Sequence, residues 1–74
     1  MLIYSKPDCP YCVKAKELLD SHGLSYVEKI VGQDISPERY RDMIPGHTTV
    51  PGIFDGGIFV GGYSDLVTYL KYRS

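Results

Sequence analysis

Met1-Leu2-Ile3-Tyr4-Ser5-Lys6-Pro7-Asp8-Cys9-Pro10-Tyr11-Cys12 is an apolar, β-like run that turns at Lys6-Pro7-Asp8 and delivers two thiols to the start of a helical pattern. Leu2-Ile3-Tyr4 is short and apolar, as a buried strand should be. The helix is predicted to begin with Cys9 near its N-cap and Pro10 in the first turn, where the missing proline N–H costs nothing. A thiol at that point meets free backbone N–H groups and the positive end of the helix dipole, and both favour thiolate over thiol. Each pKa unit gained in this way corresponds to about 1.36 kcal/mol. A Cys-x-x-Cys pair in a strand-to-helix setting is therefore a redox candidate.

The 74 residues leave room for one small domain with one core, expected to span residues 1–74. As a staple for so short a chain the thiol pair is poor, because the entropy removed from the unfolded state grows with loop length. The 2 cysteines give neither a secreted-type disulfide framework nor the second pair of a four-Cys zinc site. His22 and His47 are the remaining zinc-ligand candidates, but His22 fits an exposed helix end and His47 a loop, so no metal site is expected. The formal net charge of −1 offers no global attraction to phosphate backbones or anionic membranes. No basic region is followed by a long apolar run, and no stretch approaches membrane-spanning length. The expected setting is reducing and cytoplasmic, with neither nucleic acid nor membrane as partner.

Outward from the thiols, Ala15, Leu18, Leu19 and His22 recur at helical spacing, while Lys14, Lys16 and Glu17 suit the wet face. Gly23 is the expected stop. Leu24 to Ile30 reads as a second strand, parallel to the first because a helix intervenes. Ser36 is an N-cap with Pro37 at the first helical position, and Ile35 and Tyr40 sit where a hydrophobic staple would place them. The capping box is incomplete, since Arg39 stands where a Glu belongs. Pro45-Gly46 ends that helix. Ile53-Phe54-Asp55-Gly56-Gly57-Ile58-Phe59-Val60 reads as a hairpin. After Gly61-Gly62, a last helix carries Tyr63, Leu66, Val67 and Leu70 along one stripe. The order β-α-β-α-β-β-α permits an α/β fold, a four-stranded mixed sheet covered by three helices.

Three pieces fall in a telling order: Lys6-Pro7-Asp8-Cys9-Pro10-Tyr11-Cys12 after the first strand, Thr49-Val50-Pro51 before the hairpin, and Gly61-Gly62-Tyr63-Ser64-Asp65-Leu66 leading into the last helix. With them the chain resembles a dithiol glutaredoxin of the thioredoxin fold, Cys-Pro-Tyr-Cys type, over essentially its whole length. The resemblance implies a glutathione-dependent thiol–disulfide oxidoreductase acting on protein disulfides and protein–glutathione mixed disulfides. Cys9, at the exposed helix start, is then the nucleophile, and Cys12, one turn further in, the resolving thiol.

The remaining site residues have a plain reading and one the resemblance adds. Lys6 is either a solvated lysine or a cation that stabilises the thiolate and attracts a carboxylate, opposed by Asp8. Tyr11, in a first helical turn, suits a groove better than a deep core, and the resemblance lines the groove with it. Val50-Pro51 alone is a turn proline. The resemblance makes the bond cis, lays it against the thiols and turns the Val50 backbone towards an extended peptide, with Thr49 helping to orient the segment. Gly61-Gly62-Tyr63-Ser64-Asp65 lacks the Lys-Ser/Thr of a P-loop and leaves a tight approach to a helix N-terminus, a ready carboxylate site. Ser64 suits an N-cap or a donor to a ligand, and Asp65 the positive helix end or a ligand ammonium.

In the resemblance, Gly62, Tyr63, Ser64 and Asp65 take the γ-glutamyl end of glutathione, Val50 the middle, and Lys6 with Tyr11 the glycine end. One departure stands out: Glu38 occupies the position where relatives often carry a Gln or Arg for the glycine carboxylate, so either Arg39 or Arg41 substitutes or that grip is missing. His47 reads as a loop residue rather than a proton shuttle. The implied co-substrate is glutathione with no metal. The implied partners of this monomer are disulfide-containing or glutathionylated proteins, ribonucleotide reductase among them. Two alternatives stay open: a redoxin of the same fold served by thioredoxin reductase, and a dimer holding an iron–sulfur cluster on Cys9 and glutathione thiolates.

Overall fold

The period-two alternation of Leu2 to Ser5 sends Leu2 and Tyr4 to one face of a strand and Ile3 and Ser5 to the other, and the computed structural model, which describes residues 1–47 and 49–72, builds a two-sided core on it. Seven elements follow in chain order: β1 (Leu2–Ser5), α1 (Pro10–Ser21), β2 (Val27–Ile30), α2 (Pro37–Met43), β3 (Gly52–Asp55), β4 (Ile58–Gly61) and α3 (Tyr63–Tyr72). The strands lie in the order β2-β1-β3-β4, with β1 parallel to β2 and the other two pairings antiparallel. This is the expected four-stranded mixed sheet with three helices.

Register decides what each face buries. Ile3 pairs with Ile53 and Leu2 with Phe54 across β1 and β3. Ile3 and Ile53 thereby join Ala15 and Leu19 of α1 and Leu66 and Leu70 of α3 in one cluster. On the other face Tyr4 meets Tyr40 and Ile44, with Phe54 packed alongside. The ring centroids of Tyr4 and Tyr40 are 5.4 Å apart, within the range of favourable tilted aromatic pairs. Two helices thus cover one face and α2 the other. Gly56 and Gly57, at φ 58° and 85°, supply the positive angles of a tight hairpin turn between β3 and β4. The Ser36 hydroxyl accepts the Arg39 N–H at 3.2 Å, as an N-cap does.

Several expectations need correction. The second strand is shorter than Leu24–Ile30, because the Leu24 N–H is taken by the Leu19 carbonyl at 3.0 Å as α1 closes. Its ladder begins only at Val27. His22, by contrast, lies where it was expected, at the exposed end of α1, with its N–H on carbonyls of the last turn. Val67 is 40% exposed, so the buried stripe of α3 is carried by Leu66 and Leu70. Among the described residues no helix is long and apolar enough to cross a membrane.

Candidate active site

The turn from β1 into α1 sets the two thiols. Asp8 adopts φ 57°, a left-handed conformation that Asp tolerates better than most residues. That brings Cys9 to the N-cap with extended backbone, where its Sγ accepts the Cys12 N–H at 3.2 Å. Cys9 and Cys12 are joined by a disulfide with Cα atoms 5.2 Å apart. Cys9 is partly exposed and Cys12 is 1% exposed, so an incoming group meets Cys9 first. The Cys9 Sγ lies 3.9 Å from the Val50 carbonyl oxygen, and the Val50–Pro51 bond is cis. Residues 41 positions apart in sequence are thus brought face to face.

Two cavities meet at Thr49 and Val50. The first, of about 360 Å³, is lined by Tyr11, His47, Thr49, Val50, Pro51, Gly62, Tyr63, Ser64 and Asp65. Tyr11, 57% exposed, tilts against Tyr63 with ring centroids 5.8 Å apart. Lys14 Nζ stands over the Tyr11 ring, 5.1 Å from its centroid, in a cation–π contact. At the start of α3 the Asp65 carboxylate accepts the Gly62 N–H at 3.1 Å, and the Gly62 carbonyl accepts the first helical bond, from Leu66 at 2.9 Å. Gly62 is therefore the cap, and Ser64 lies within the first turn rather than at the N-cap.

The second cavity, of about 440 Å³, is lined by Lys6, Cys9, Val31, Pro37, Tyr40, Arg41, Thr49 and Val50. Lys6 and Tyr11 consequently line different cavities that share Thr49 and Val50. Of the two arginines considered from the sequence, Arg41 borders this cavity with Lys6; Arg39 borders a separate groove with Lys29 and Met43. Glu38 is exposed and lines neither cavity at Val50.

Sequence reasoning missed two features. His47, read as a loop residue, lines the first cavity, sets its Nε2–H on the Pro51 carbonyl at 3.3 Å and stands edge-on to Phe59 at 5.0 Å. Nothing in the local sequence signals these contacts. Lys16, read as solvated, pairs with Glu28 of β2 at 2.9 Å, and the same carboxylate accepts the buried Ser5 hydroxyl at 2.5 Å. The Ser5 hydrogen bond first, and Lys16 next, hold the Glu28 carboxyl below its ordinary value of 4.5. A spacing of four along α1 from Cys12 to Lys16 was the available hint that the lysine shares the thiol's side of the helix. Among the described residues no group of three or more His, Cys, Asp and Glu is arranged to hold a metal ion.

The arrangement agrees with what the chain is similar to. The glutaredoxin family model matches residues 1–60. A glutaredoxin of Neisseria meningitidis is 42% identical over 66 residues, spanning 86% of this chain and 76% of that protein. The hybrid peroxiredoxin hyPrx5 of Haemophilus influenzae is 48% identical over 67 residues; the match covers 90% of this chain but only 27% of that protein. The buckwheat glutaredoxin–glutathione complex superimposes with a TM-score of 0.82 at 28% identity, over 95% of this chain and 66% of that one. By sequence and by fold, the chain belongs to the glutaredoxin family.

Proposed function

We propose that this chain is a glutathione-dependent thiol–disulfide oxidoreductase that reduces protein disulfides and protein–glutathione mixed disulfides, working as a monomeric unit of residues 1–74 in a reducing, cytoplasmic compartment. The observation that carries the reading is the position of Cys9 Sγ: at a helix N-cap, on the Cys12 N–H, and 3.9 Å from the Val50 carbonyl where two ligand-sized cavities meet. A buckwheat relative of the same fold that was solved as a glutathione complex supports the choice of thiol.

In the reduced enzyme the Cys9 thiolate attacks one sulfur of a protein disulfide; a new S–S bond forms and one protein thiolate leaves. Cys12 gives up its proton and attacks the Cys9 sulfur, releasing the second protein thiolate and leaving the Cys9–Cys12 disulfide. Two glutathiones restore the dithiol and depart as glutathione disulfide. With a glutathionylated protein, Cys9 takes the glutathionyl sulfur and the protein thiol leaves. A second glutathione thiolate then attacks that sulfur, freeing Cys9 without Cys12. In this assignment the γ-glutamyl end meets Gly62, Tyr63, Ser64 and Asp65, Thr49, Val50 and Pro51 face the middle, and Tyr11 walls the groove. Lys6 and Arg41 supply the two charges for the glycine-end carboxylate, which answers the departure at Glu38. The hybrid peroxiredoxin among the relatives supports oxidised peroxiredoxin thiols as one class of protein substrate.

Separate substitutions of the thiols test the scheme in an assay coupled to glutathione and its reductase. Cys9→Ser is expected to abolish all turnover, because a serine hydroxyl is protonated near neutrality and forms no disulfide. Cys12→Ser is expected to lose protein-disulfide reduction and keep deglutathionylation. A folded Cys12→Ser protein inactive in deglutathionylation would overturn the scheme.

A further inference from the structure

Of the three successive carbonyls of Thr49, Val50 and Pro51, the middle one faces the reactive disulfide, and the outer two are each held by a donor from outside that tripeptide. The Tyr40 hydroxyl, reaching from α2, donates to the Thr49 carbonyl at 2.8 Å. His47 Nε2–H donates to the Pro51 carbonyl at 3.3 Å. Between them the Val50 carbonyl faces Cys9 Sγ.

Both donors are firmly mounted. Tyr40 is 2% exposed and packs on Tyr4. A Cβ at residue 52 would strike its hydroxyl, so a glycine there is what lets the phenol reach Thr49. Burial first, and Tyr4 next, push the Tyr40 phenol up to about 12, so it remains a donor at any physiological pH. The His47 ring is lodged against Phe59 of β4, and its Cε1 lies 3.6 Å from where a Cβ on Gly62 would stand. It therefore touches β4 and the Pro51 loop at once, and lines the same cavity as the start of α3.

Because a peptide unit is planar, the Thr49 carbonyl and the Val50 N–H turn together. Holding the first aims the second away from Tyr40. Holding the Pro51 carbonyl restrains the chain on the other side. We propose that Tyr40 and His47 are a pair of positioning residues that clamp the backbone on both sides of Val50 and fix it in register with Cys9 for an extended peptide disulfide. This inference deepens the glutathione reading and rests on it. The clamp acts by preorganisation: a substrate backbone that pairs with Val50 meets a segment already in place.

The test uses the reduced protein and three disulfides: a glutathionylated peptide, a cysteinylglycine mixed disulfide that lacks the γ-glutamyl group, and dithionitrobenzoate, which has no peptide backbone. Rates of attack by Cys9 are compared for the parent, Tyr40→Phe, His47→Leu, His47→Gln and the double variant Tyr40→Phe/His47→Leu. In Tyr40→Phe and in His47→Leu the rate on the glutathionyl peptide, relative to dithionitrobenzoate, is expected to fall about five- to tenfold, the scale of one lost hydrogen bond. His47→Gln, whose amide can also donate, recovers most of that ratio. The double variant loses less than the product of the two single losses, because both donors act on one segment. Unchanged ratios in both single variants, even with lowered melting temperatures, overturn the clamp and leave Tyr40 and His47 as ordinary packing. A parent protein that attacks the cysteinylglycine disulfide as fast as the glutathionyl one overturns the glutathione reading instead. The clamp is then judged by the cysteinylglycine-to-dithionitrobenzoate ratio, which must fall in the same variants.

Discussion

At the N-cap of α1, Cys9 Sγ takes the Cys12 N–H and the positive end of the helix while remaining open to solvent on its outer side. These features stabilise the thiolate, and Lys6 borders the same cavity. In the reduced protein Cys9 is expected to react as a thiolate at lower pH than an unperturbed thiol, and Cys12 only at higher pH than Cys9. Alkylation rates followed against pH measure both; a Cys9 midpoint near the ordinary thiol value of about 8.5 would contradict the N-cap argument. In the proposed reading the cations at residues 6 and 41 act differently, as a grip on the glycine-end carboxylate. A carboxylate grip remote from the sulfur is held similarly in the ground and transition states, so Lys6→Ala and Arg41→Ala should each raise KM more than they lower kcat. The expected loss is about 1–2 kcal/mol in kcat/KM for glutathionylated substrate. Glu38→Ala, outside both cavities at Val50, should change it little. Equal kcat/KM in the parent and the residue 6 and 41 variants would reduce both residues to surface charge.

Between elements, the Glu28 carboxylate is the tie that joins β2 to β1 through Ser5 and to α1 through Lys16. Its acid is strengthened on folding, so the contribution is fully present above the ordinary carboxylate value of 4.5 and is lost as pH falls through the lower folded value. Glu28→Gln is therefore expected to lower stability by about 1 kcal/mol near neutrality, a modest figure for a partly exposed pair. Denaturation midpoints measured at neutral and strongly acidic pH should converge between variant and parent at the acid end; a difference that persists there would mean that packing, not charge, is responsible. The same element scale shows what was legible in the chain. Starts at Pro10 and Pro37 could be read because caps are local, and the hairpin because Gly56-Gly57 demands a tight turn. The start of β2 was misread because Leu24 is claimed by the carbonyl of Leu19, a closure that apolar periodicity does not encode. The cap of α3 moved from Ser64 to Gly62 because the Asp65 carboxylate reaches back three residues. Lys16 looked solvated because its partner is on another element.

Over the whole molecule, the mixed sheet does one thing for function: it sets the end of β1, the Val50–Pro51 loop and the start of α3 side by side, so that three short motifs far apart in sequence meet around Val50. Their order was enough to anticipate the fold and most of the residues that gather there. It was not enough to choose between Arg39 and Arg41, which project roughly 200° apart on a helix whose phase only packing fixes. Nor could it find His47, whose partners are a carbonyl across an irregular loop and a ring on β4. The central claim is that this assembly is built for glutathione. It is tested most directly by oxidising the protein to the Cys9–Cys12 disulfide and offering it, in separate reactions, glutathione with glutathione reductase and thioredoxin reductase without glutathione, each with NADPH. The account predicts that the glutathione system restores the dithiol and that thioredoxin reductase leaves the disulfide intact; rapid reduction by thioredoxin reductase together with inertness to glutathione would contradict it.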